Sequence, residues 1–147
     1  RLTSIINDRV DIALLTDADG VHVGQNDLPV EEARRLLGRN KVVGVSTHNL
    51  KQALEAQRST ADYVAIGPVY PTTSKQNPDP IVPREELRAI RSQVTKPLVA
   101  IGGITVENAA ALYELGINSL AVIRDILLSE NVESRIKQYL AVAPYRN

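Results

Sequence analysis

Six short apolar runs recur along the chain, and each is followed by a stretch with helical spacing. The runs are residues 2–6, 20–23, 42–45, 63–66, 98–101 and 120–123. Each is four or five residues long and rich in β-branched side chains. Such continuous runs suit strands of a parallel sheet buried on both faces. Helical patterns lie over 8–16, 30–37, 49–58, 84–94, 106–115 and 132–142. Pro29 and Asn49 stand at helix starts, and Gly38 and Gly116 at helix stops. Strict strand–helix alternation predicts an α/β fold with right-handed crossovers.

Spacing narrows the architecture. Strand starts fall at 2, 20, 42, 63, 98 and 120, an even pitch broken once. The even pitch predicts repeated βα units of a barrel. The same helix-to-strand joint occurs twice, as Asp17-Ala18-Asp19-Gly20-Val21 and Thr60-Ala61-Asp62-Tyr63-Val64. A (β/α)₈ TIM barrel needs eight units, and six are visible. Two more would bring the length near the ~200-residue lower end for such barrels. The chain also has no Met and opens on Arg1 directly before an apolar run. The expectation is a single domain over 1–147, truncated to strands three to eight, with the first two βα units missing. A flavodoxin-like open sheet is the alternative. No G-x-G-x-x-G or G-x-x-x-x-G-K-[ST] follows any run, which removes the usual nucleotide-binding reasons to prefer it.

Composition excludes several functions. Zero Cys removes disulfides, thiolate zinc sites, iron–sulfur clusters and a Cys nucleophile. Seventeen basic and seventeen acidic residues give net charge zero, which argues against a general nucleic-acid or polybasic membrane binder. No apolar stretch reaches the ~18 residues of a spanning helix, and no signal peptide is visible. The expected location is cytoplasmic.

Active sites of parallel α/β folds form at the C-terminal ends of the strands. Asn7-Asp8 follow the first run and Gly24-Gln25-Asn26-Asp27 the second. Asp8 and Asp27 therefore end adjacent strands, and two carboxylates there suit Mg²⁺. Each alone also suits a helix cap or first-turn acid. Ser46-Thr47-His48 follow the third run, and His48 is a candidate base or a structural residue. His22 lies mid-strand between apolar neighbours and reads as structural. The one long interval, 68–83, carries five of the eight prolines. Its Thr72, Thr73, Ser74 and Lys75 could wrap an anionic substrate. Gly102-Gly103 open a helix after the fifth run, a phosphate-binding arrangement or simply a tight turn. Arg124 follows the sixth run.

Read in order, NDRVDIAL, HVGQNDLP, VVGVSTHN, GPVYPTTSK and PLVAIGGITVENAAAL resemble the thiamine phosphate synthase family, over essentially the whole chain. The resemblance implies a (β/α)₈ barrel enzyme of thiamine biosynthesis. It would be a transferase joining 4-amino-5-hydroxymethyl-2-methylpyrimidine diphosphate to thiazole phosphate, releasing diphosphate. Family chemistry is dissociative: the pyrimidine–diphosphate bond breaks first, and the thiazole nitrogen captures the pyrimidine cation. Carried over by resemblance, Asp8 and Asp27 bind Mg²⁺, and Asn7 and Lys75 contact diphosphate and pyrimidine. Ser46 sits near the pyrimidine and the leaving oxygen, so Ser46 and Lys75 are the expected catalytic pair. Thr72, Thr73, Ser74, Gly102, Gly103, Ile123 and Arg124 receive the thiazole phosphate. Partners are small-molecule substrates, without nucleic acid or membrane, and with room for a homo-oligomer.

Three departures stand out. The family's Gln-x-Arg-x-Lys-like diphosphate motif belongs to the missing units. Arg124 stands where many members have Ser, and 79–83 lack a Gly that members commonly carry. Two rival readings remain: a thiazole tautomerase with His48 as base, and a non-catalytic fragment that binds thiazole phosphate.

Overall fold

The computed structural model describes residues 2–73 and 79–144. Six strands form one parallel sheet in the order of the chain: β1 (Ile5–Asn7), β2 (Gly20–Val23), β3 (Val42–Thr47), β4 (Tyr63–Ile66), β5 (Leu98–Ile101) and β6 (Ser119–Ala121). Sequential order means that the chain winds in one direction without a switch point. A flavodoxin-like sheet reverses direction after its first strands, so that alternative is excluded. The result is a curled half-barrel, open between β1 and β6.

Helices α1 (Val10–Leu15), α2 (Val30–Leu37), α3 (Leu50–Arg58), α4 (Arg84–Gln93), α5 (Val106–Glu114), α6 (Arg124–Leu127) and α7 (Val132–Val142) follow the strands. Three expected strands change bounds: β3 runs on to Thr47, so Ser46 and Thr47 belong to the strand rather than follow it, and the two outer strands shift. β1 starts at Ile5 rather than residue 2 and runs on to Asn7; β6 stops at Ala121, so Ile123 becomes the N-cap of α6. That four-residue helix is too short to leave a period in the sequence.

The strands do alternate, although their sequence hides it. Val21, Val23, Val43, Val45, Val64, Ile66, Leu98 and Ala100 point outward and pack with Ala33, Ala53, Leu87, Ile90, Ala109 and Leu112 of the helices. With no Phe or Trp, this core is aliphatic throughout. The other parity, Ile5, Asn7, His22, Ser46, Tyr63, Ala65, Val99, Ile101 and Ala121, lines the inside of the curl.

The repeated helix-to-strand joint has a common function at the opposite end of the sheet. Each joint carboxylate or amide accepts a backbone N–H near the start of the neighbouring strand: Asp19 from Ser4, just before β1 (2.9 Å), Asp62 from Val43, the second residue of β3 (2.7 Å), and Asn118 from Leu98, the first of β5 (2.9 Å). Each bond gives a backbone donor near a strand start a side-chain acceptor. Asp62 also pairs with Arg34 at 2.6 Å. Because Val43 is fully buried, Asp62→Ala is expected to cost about 1–3 kcal/mol in urea unfolding, whereas Asp62→Asn keeps the acceptor and recovers most of it.

Candidate functional site

A cavity of about 1370 Å³ opens at the C-terminal ends of the strands. Asn7, Asp8, Asp27, Ser46, Thr72, Thr73, Gly102, Gly103, Ile123 and Arg124 all line it. Every described residue singled out from the sequence is therefore on one wall system. Ser74 and Lys75 lie outside the described residues.

The carboxylates are set by backbone geometry. Asp8 has φ 64°, the left-handed region that Asp tolerates better than most residues, and its N–H donates to His22 O at 2.7 Å. Asp27 Oδ2 accepts Gly24 N–H at 2.7 Å, closing the turn after β2. Neither residue caps a helix: Arg9 is the N-cap of α1 and Pro29 that of α2. The capping explanation for these two acids is thus excluded. Asp27 Oδ1 makes no hydrogen bond among the described residues. Among those residues no cluster of three or more His, Cys, Asp or Glu side chains forms a metal cage.

The loop after β4 is stitched along β5. Val69 N–H donates to Ile101 O (2.9 Å) and Tyr70 N–H to Gly102 O (3.1 Å). This brings Thr72 and Thr73 over the glycine pair. Gly102 (φ 89°) and Gly103 (φ 67°) both need the left-handed region, and a Cβ on Gly103 would stand 2.4 Å from Pro71 O. The turn geometry and the open backbone N–H face thus coexist in one element.

His48 ties the same loop down. Its Nδ1–H donates to Gly67 O at 2.6 Å, and Nε2 lies 3.4 Å from Asp79 Oδ2. Both ring nitrogens face groups of the chain, Gly67 just before the long interval and Asp79 within it.

Three site groups escaped the sequence reading. His22 and Tyr63 reach the cavity from the inner parity of β2 and β4. Both are half-buried, and burial pushes the Tyr63 phenol above the usual tyrosine value. The available signal was parity: His22 interrupts an apolar run on the opposite face from Val21 and Val23. Arg135 of α7 also lines the cavity. Asp125 accepts from Arg135 (3.2 Å) and from the Tyr139 hydroxyl (2.7 Å). Burial, with Asp125 beside it, raises the Tyr139 pKa.

Comparison with known proteins agrees with this geometry. The family model described as thiamine monophosphate synthase matches residues 1–126. The thiamine-phosphate synthase of Methanobrevibacter smithii is 49% identical over 141 residues, covering 93% of this chain and 67% of that protein. That of Chloroflexus aurantiacus is 49% identical over 138 residues, covering 94% and 63%. The solved thiamine phosphate pyrophosphorylase from Pyrococcus furiosus superposes with a TM-score of 0.84 at 37% identity, covering 94% of this chain and 65% of that one. The chain thus spans about two thirds of the length of the relatives it matches. By the extent of these matches the chain belongs to the thiamine monophosphate synthase family.

Proposed function

We propose that the full-length protein joins 4-amino-5-hydroxymethyl-2-methylpyrimidine diphosphate to thiazole phosphate, giving thiamine phosphate and diphosphate. One observation carries this reading: all ten described residues that the family resemblance assigns to the reaction line a single cavity. The substrate set is small and anionic, and a cytoplasmic location belongs to the same reading. No described helix is long and apolar enough to cross a membrane.

The geometry suits a reaction limited by charge at a leaving group rather than by a base. Asp8 and Asp27 at adjacent strand ends are hard oxygen donors, with one Asp27 oxygen still unbonded within the described chain. Mg²⁺ commonly takes one or two carboxylates and completes its shell with water and substrate phosphate, so the missing cage of three is no obstacle. These two residues would hold it; when bound it neutralises the departing diphosphate. Asn7 orients that group from the end of β1, and Ser46 offers a hydroxyl toward the breaking bond. Backbone N–H groups at the Gly102-Gly103 turn, with Thr72, Thr73 and Arg124, receive the thiazole phosphate. Fixing both substrates across one cavity places the thiazole nitrogen to capture the pyrimidine cation before water does.

We place the six βα units as strands three to eight of an eight-stranded barrel, as one domain. The two open edges support this. Leu15 of α1 is 85% exposed and Leu140 of α7 is 64% exposed, at opposite ends of the sheet. Two further βα units would cover them and supply the remaining diphosphate contacts.

The tautomerase reading has less support. An isomerase of that kind has no need of paired carboxylates, and Asp8 and Asp27 both line the same cavity as His48. The deciding experiment supplies both substrates with Mg²⁺ and follows thiamine phosphate. Formation that stops in EDTA is the expected result. No product, with thiazole isomerisation surviving EDTA, would replace this reading by the tautomerase.

A further inference from the structure

Three side chains from adjacent strands form a line across the cavity. Tyr63 Oη lies 2.9 Å from His22 Nδ1, and His22 Nε2 lies 2.8 Å from Ser46 Oγ. The two rings stack with centroids 5.5 Å apart and an interplanar angle of 24°. The register explains how Tyr63 reaches across. His22 pairs with Gly44 and Gly44 with Tyr63, so a glycine separates them on β3. A Cβ on Gly44 would stand 2.0 Å from Tyr63 Cζ. Only a residue without a side chain lets the phenol lie over β3 and meet the imidazole.

A neutral imidazole carries one N–H and one lone pair, so the two bonds must run in the same direction. In one direction Tyr63 donates to Nδ1, Nε2–H donates to Ser46 Oγ, and the Ser46 proton is left over. In the other, Ser46 donates to Nε2, Nδ1–H donates to Tyr63, and the phenol proton is left over. A phenol is a better donor than acceptor, because its oxygen lone pair is delocalised into the ring. Its hydroxyl is pressed onto the Gly44 backbone, and His22 is its one hydrogen-bond partner among the described residues. Ser46 instead faces the open cavity, where a ligand oxygen can take its proton.

The geometry points to a directional chain, Tyr63 to His22 to Ser46, in which Tyr63 and His22 are positioning residues. They hold the imidazole as its Nε2–H tautomer and so reserve the Ser46 proton for a substrate oxygen. The identity of that oxygen rests on the proposed function: it is the bridging oxygen that leaves with diphosphate. No proton is transferred along the chain. The carbon–oxygen bond breaks with its electron pair on the diphosphate, and the Ser46 hydrogen bond to that oxygen strengthens as charge develops.

The test is two-bond ¹H–¹⁵N spectroscopy of the ¹⁵N-histidine-labelled full-length protein, with His22→Gln to assign the signal. The expected wild-type signature is Nε2–H with Nδ1 unprotonated. Ser46→Ala should leave it unchanged, because Tyr63 sets the tautomer. Tyr63→Phe should move it toward Nδ1–H and lower kcat for coupling about tenfold, with KM within twofold. A wild-type Nδ1–H signature, or a tautomer that switches in Ser46→Ala, overturns the proposal. So does Tyr63→Phe with an unchanged tautomer or unchanged kcat. If Tyr63→Phe fails to fold by circular dichroism, the wild-type and Ser46→Ala spectra still decide. A wild-type protein with the Nε2–H signature but no coupling activity overturns the proposed function and leaves the chain's direction standing.

Discussion

Asp27→Asn is expected to lower thiamine phosphate formation by the full-length protein at least about a hundredfold while leaving thermal stability unchanged. The two effects separate because Asp27 has two roles. Its Oδ2 accepts Gly24 N–H and closes the turn after β2. An Asn oxygen serves that turn equally well, but it carries no charge to hold a divalent cation beside a diphosphate. Asp27→Ala loses both roles and should be as inactive and also less stable. Steady-state coupling rates at several Mg²⁺ concentrations, together with melting curves, check the pair. An Asp27→Asn variant that keeps more than a tenth of wild-type activity at saturating Mg²⁺ would refute the assignment of this carboxylate. Asp8→Ala tests the second ligand in the same way. There the small side chain must also adopt the left-handed backbone at φ 64°, so a stability loss is expected with the activity loss.

The second large effect concerns the core. Leu98→Ala should cost about 2–5 kcal/mol and lower the melting temperature by roughly 10 °C. Leu98 starts β5 and is fully buried on the outer face of the sheet, within the aliphatic core cluster. The fully buried residues around it are Val, Ala, Leu and Ile held on strands and helices, which relax only partly into such a gap. The loss is a large fraction of the ~5–15 kcal/mol that holds an ordinary domain. Chemical denaturation of the full-length protein measures it; a change below 1 kcal/mol would show that the helices close onto the site.

Much of this molecule was legible in one dimension. A parallel strand buried on both faces must be apolar along its whole length, and a crossover helix must be amphipathic. The alternation of six such pairs therefore announced the α/β fold, and four of the six runs match the observed strands in position or start. The runs at the two open edges were misjudged, at β1 by three residues and at β6 by the missing α6. Edge strands have only one neighbour, so their pairing is short and their limits are set by a single ladder. The candidate site was also legible, because a rule of the fold puts chemistry after each strand. That rule points to Asn7, Asp8, Asp27, Ser46, Thr72, Thr73 and the glycine pair, all of which line the cavity.

What the tertiary structure alone decided is which residues meet across strands. His22 looked like a structural histidine because both sequence neighbours are apolar. Its proximity to Tyr63, 41 residues on, and to Ser46, 24 residues on, depends on the register of three strands and on Gly44 standing between them. The same holds for His48, which meets Gly67 just before the long interval and Asp79 within it, and for Asp125 and Tyr139, which join α6 to α7. Local sequence carries propensity and periodicity, since both act through neighbours along the chain. Strand register and side-chain contact are set by the packing of the whole sheet, and no single segment encodes them.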